Sequence, residues 1–78
     1  MPSLTMERDH LAMADRHVAR SRQNIAEAEE RARQGQVTEL SDALLRTMRA
    51  ALVAHEDHRA LIVRTIAALE NGELPSRP

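Results

Sequence analysis

The sequence contains no cysteine, no phenylalanine, tyrosine or tryptophan, and no lysine; every one of its 11 basic residues is arginine. Each absence removes a class of chemistry. Without cysteine there is no disulfide framework, no thiolate nucleophile and no cysteine–zinc site. Without lysine there is no Schiff base and no phosphate-binding-loop lysine, and 2 glycines are too few to shape such a loop. Without aromatic rings there is no platform on which nucleobases stack. Charge of one sign is lacking too: 11 Arg stand against 12 acids, for a net charge of −1. The closest thing to a basic patch is the short run Arg16, Arg20 and Arg22. Phosphate recognition normally needs a basic face, so weak nucleic-acid binding is only a third reading here.

Long apolar runs are also missing. None approaches the ~18 residues of a membrane span, so no membrane association is expected. The segment Met1 to Arg8 has no positive region followed by an apolar core. No secretory signal is therefore expected, and cytoplasmic placement is the default. A chain of 78 residues holds one domain at most.

What is present is helical. Ala, Leu, Arg, Glu and Met dominate, and these are the better helix formers. β-Branched residues never alternate with period two. Punctuation is sparse: Pro2, Gly35, Gly72, Pro75 and Pro78. The pattern predicts one helix over about 4–34, a loop over 35–37, a second helix over about 38–71, and a frayed tail over 73–78. Ser3 or Thr5 can cap the first helix and Thr38 the second, with Glu7, Glu39 and Asp42 near the positive ends. Gly35 and Asn71-Gly72 suit helix stops. Glu27–Arg31, Glu29–Arg33 and Asp42–Arg46 are spaced for ion pairs along each helix, at roughly 0.3 kcal/mol apiece.

The first helix carries a heptad seam. Leu4, Leu11, Val18, Ile25 and Ala32 form one row, and Glu7, Ala14, Ser21 and Ala28 the other. Small residues on the second row permit close helix approach. The second helix is more apolar. Leu45, Met48, Leu52, Ile62, Ile66 and Leu69 define its seam, flanked by Leu40, Leu44, Leu61 and Val63. Its apolar arc spans about 140°, too wide for one partner helix to cover. The fold class is therefore all-α, an antiparallel two-helix hairpin that dimerises into a four-helix bundle. The expected interface residues are Leu45, Met48, Leu52, Ile62, Ile66 and Leu69, with His55 and Arg59 as a polar layer that sets register.

The remaining chemistry rests on four histidines. His10 and His17 stand one heptad apart at the edge of the first seam. His55 and His58 share a face of the second helix. In an antiparallel hairpin, level residues have numbers summing to about 72, which puts His17 beside His55. Glu7 and His10 have the Glu-x-x-His spacing of carboxylate-bridged di-metal bundles. A divalent transition metal held by His10, His17, His55 and His58, with Glu7 or Glu56, is thus the alternative to a purely structural polar layer. No cofactor is otherwise implied. Ser21 and Ser41 lack a nucleophile elbow and a His–acid relay, so no catalytic residue is assigned and a non-enzymatic interaction or regulatory module is expected, self-associating and open to another protein partner.

The stretches His10-Leu11-Ala12-Met13-Ala14-Asp15-Arg16-His17 and His55-Glu56-Asp57-His58-Arg59 resemble those of a group of small bacterial helical-hairpin proteins. That group has no assigned activity. The resemblance implies two helices with matched His pairs and carries over no function.

Overall fold

The computed structural model describes residues 3–35 and 38–74. It has two helices, α1 (Leu4–Arg33) and α2 (Glu39–Glu70), packed along their length. No strand occurs among the described residues. The limits fall within a residue of those the punctuation predicts. Residues 36 and 37 of the loop and 75–78 of the tail lie outside the described residues.

Each helix end has a local chemical cause. Ser3 takes an extended backbone and its Oγ accepts from the Met6 amide at 3.1 Å, which satisfies one orphan N–H. Thr38 does the same for the Ser41 amide at 3.1 Å, and the Ser41 Oγ accepts from the Thr38 amide at 2.7 Å. This reciprocal pair is a capping box with serine in place of the usual glutamate. It also occupies the Ser41 hydroxyl. Both helices stop where a glycine takes a left-handed backbone, Gly35 at φ 85° and Gly72 at φ 72°. At the end of α2, the Gly72 amide donates to Leu69 O and the Glu73 amide to Ala68 O, the two bonds of a Schellman motif.

The core is thin. Its buried members are Ala14, Val18, Ile25 and Ala28 from α1, and Leu45, Ile62 and Leu69 from α2. Ile25, Ala28 and Leu45 touch one another in a cluster, with Met48 and Leu52 packed against it. All of the α1 members lie on the predicted heptad rows. Among the described residues no large side chain is wholly withdrawn from solvent. The molecule is correspondingly long, 55 × 15 × 15 Å, with a radius of gyration of 17.1 Å. A compact chain of this length would have one of about 11.5 Å.

None of the three expected pairs, Glu27–Arg31, Glu29–Arg33 and Asp42–Arg46, forms among the described residues. Glu29 reaches across to Arg49 at 3.5 Å, and Arg33 turns to Glu30 at 2.6 Å. Glu27 accepts from Gln23 at 3.3 Å.

Candidate association face

The seam of α2 is a strict heptad. One row is Leu45, Leu52, Arg59 and Ile66; the other is Met48, His55, Ile62 and Leu69. These are the residues expected to carry assembly, and within the chain they face α1. Leu45, Ile62 and Leu69 are buried, and Met48, Leu52, His55, Arg59 and Ile66 are half-buried. Arg59 keeps its charge at the rim by pairing with Asp15. It is thus a polar layer whose aliphatic stem lies in the seam while its head reaches the surface.

The two flanks of this seam differ in kind. One is closed by charge. Arg8 pairs with Glu70 at 3.2 Å, Arg22 with Glu56 at 3.0 Å, and Glu29 with Arg49 at 3.5 Å. Arg49, Glu56 and Glu70 stand seven or fourteen residues apart, in one row of α2 that also holds Asp42 and Val63. These pairs are exposed, so each contributes at most about 1 kcal/mol.

The opposite flank is open and carries no charge on α2. Leu40, Leu44, Thr47, Ala51, Ala54, His58, Leu61, Thr65 and Ala68 follow one another at alternating steps of four and three. No Asp, Glu or Arg interrupts them over the whole helix. Leu40, Leu44 and Leu61 stay 80%, 51% and 54% exposed. Across the seam, α1 adds Met6, His10, Met13 and His17, all exposed, before the flank becomes polar at Arg20. Among the described residues no ion pair crosses the seam on this side.

All four histidines gather on or beside this open flank. The His17 and His55 rings lie 5.5 Å apart, tilted by 48°, level with each other as the numbering expects. His10, His17 and His58 line one open groove with Met13 and Ala14. His17 and His55 line the next, with Ser21, Asn24, Met48 and Ala51. The carboxylates differ in placement. Glu7 Oε1 stands 3.5 Å from His10 Nδ1, a spacing at which two donors can share one ion. Glu56 points to the other flank, where Arg22 holds it. Among the described residues, no three His, Cys, Asp or Glu side chains are grouped to hold an ion. No described helix is long and apolar enough to cross a membrane.

The charge-free row is what sequence reasoning missed. Leu40, Leu44 and Leu61 were visible as flanking residues, but so was Val63, which belongs to the ion-paired side. At 100° per residue the two sides blur into one broad arc. At the 3.5-residue period of a packed seam they separate. No protein-family model, no curated protein and no solved structure matches this chain.

Proposed function

We propose that this chain is a non-enzymatic, self-associating helical module: a homodimer whose two hairpins form an antiparallel four-helix bundle. Its outer charged surfaces are then left to engage another protein. One observation carries this reading, the charge-free row of α2 that α1 leaves uncovered. A helix side with Leu and Ala at seam spacing and no charge over its length is built to meet another helix.

Surface area supports the same reading. The chain exposes 5775 Å². A compact monomer of 8.8 kDa exposes about 4,800 Å². Two chains that each covered the excess of about 1,000 Å² would bury about 2,000 Å² in all, the size of a stable interface.

A His/carboxylate metal site is the second reading, favoured by the His17–His55 contact. Within one chain it has too few ligands, so it needs a second copy to complete the set. Native mass spectrometry of untagged protein, prepared without chelator, separates the readings by reporting chain number and bound metal together. A metal-free dimer supports the structural module. A stoichiometric metal lost in His55→Ala supports the metal site. In the same measurement Leu52→Asp, which sets a carboxylate against the Ile25–Ala28–Leu45 cluster, is expected to give only unfolded monomer.

A further inference from the structure

The middle of the open row of α2, from Leu44 to Leu61, is self-complementary. It reads Leu44, Thr47, Ala51, Ala54, His58, Leu61. By size and polarity this is large, polar, small, small, polar, large, the same in either direction. A two-fold axis crossing a helix reverses its direction, so an isologous contact requires this kind of pattern. We propose that a second copy of this chain docks antiparallel on this row, with the two-fold axis between Ala51 and Ala54. The proposal rests on the self-association reading and names its surface and register.

In this register Leu44 packs on the partner's Leu61, and Ala51 on the partner's Ala54. The steps are consistent: alternating intervals of four and three residues stay in layers when the helix is reversed. Alanines at the axis let the backbones approach closely, and the leucines close both ends of the contact. His58 meets the partner's Thr47. The Thr47 hydroxyl already donates to Ala43 O at 3.0 Å, so its oxygen is free to accept from an imidazole N–H. No carboxylate or guanidinium of α2 lies in the row, so no charge is desolvated without a partner. The other surfaces of α2 fit a second copy less well. The seam is occupied by α1, and the ion-paired flank would force Arg49, Glu56 and Glu70 out of water. A second copy supplies a matching helix with the same charge-free row.

The test combines charge insertion with crosslinking. Leu44 and Leu61 are exposed within one chain, so Leu44→Glu and Leu61→Glu leave the hairpin folded, as helix content by circular dichroism checks. Each is expected to weaken dimerisation about 100-fold in sedimentation velocity, because two glutamates become buried per dimer. Val53→Glu, on the opposite side of α2 and 56% exposed, is expected to change it by less than about threefold. The chain has no cysteine of its own. Ala51→Cys chains mixed with Ala54→Cys chains are therefore expected to form a disulfide under oxidation, faster than either variant alone or than Val53→Cys. A dimer that survives Leu61→Glu, or that fails to give this mixed crosslink, overturns the proposed face and leaves self-association standing. A wild-type chain that is monomeric at all concentrations overturns both.

Discussion

Arg59 and His55 are the residues that most clearly trade stability for specificity. Both occupy seam positions where Leu or Ile would bury more apolar surface. Arg59 is held by Asp15 at the rim, with its side chain 43% exposed, so the ion pair itself adds little. Arg59→Leu is therefore expected to stabilise the fold by about 1 kcal/mol, which for a domain this small raises Tm by roughly 4–8 °C. A thermal melt followed by circular dichroism checks it. A fall in Tm would mean that the Asp15 contact outweighs the missing apolar burial. His55 lies against the His17 ring, 5.5 Å away, and is the second polar position of the seam.

At the scale of the helices, ends and seam were legible and sides were not. Ser3, Thr38, Gly35 and Gly72 fix the ends through local hydrogen bonds and backbone angles, which sequence states directly. The α1 rows were legible because Val18, Ile25, Ala14 and Ala28 repeat every seven residues with little else apolar nearby. The partners of Glu29 and Arg33 were not, since both local and cross-seam cations stand within reach and only packing chooses between them. The open row of α2 was hidden for a related reason: Ala and Thr carry little hydrophobic signal, and its leucines merge with the seam until α1 is in place. The small row of α1 makes its own prediction. Ala28 is buried in the Ile25–Ala28–Leu45 cluster, so Ala28→Leu overpacks the helix contact and should destabilise by about 1–3 kcal/mol. Ala26→Leu, on an exposed position, should change stability by less than about 0.5 kcal/mol. Equal effects in chemical denaturation would mean that close approach at Ala28 does not matter.

At the scale of the whole molecule, a rod 55 Å long and 15 Å wide cannot give its side chains a deep interior. One contact surface is shared by two helices, and α2 has apolar side chains on more of its circumference than that surface covers. The lack of aromatic residues sharpens the point. Short aliphatics and alanines pack closely but each removes little area, so a single seam leaves the core thin. Side-by-side association of two rods, as proposed above, would cover this row without burying a charge of α2, because the row has none. Sedimentation velocity of the untagged wild-type chain, at about 10 µM and neutral pH, addresses this most directly. A species of twice the 8.8 kDa chain mass, fully helical and dissociating on dilution, is the expected result. A fully helical, stably folded species of one chain mass at that concentration would contradict self-association as the role of the open side of α2.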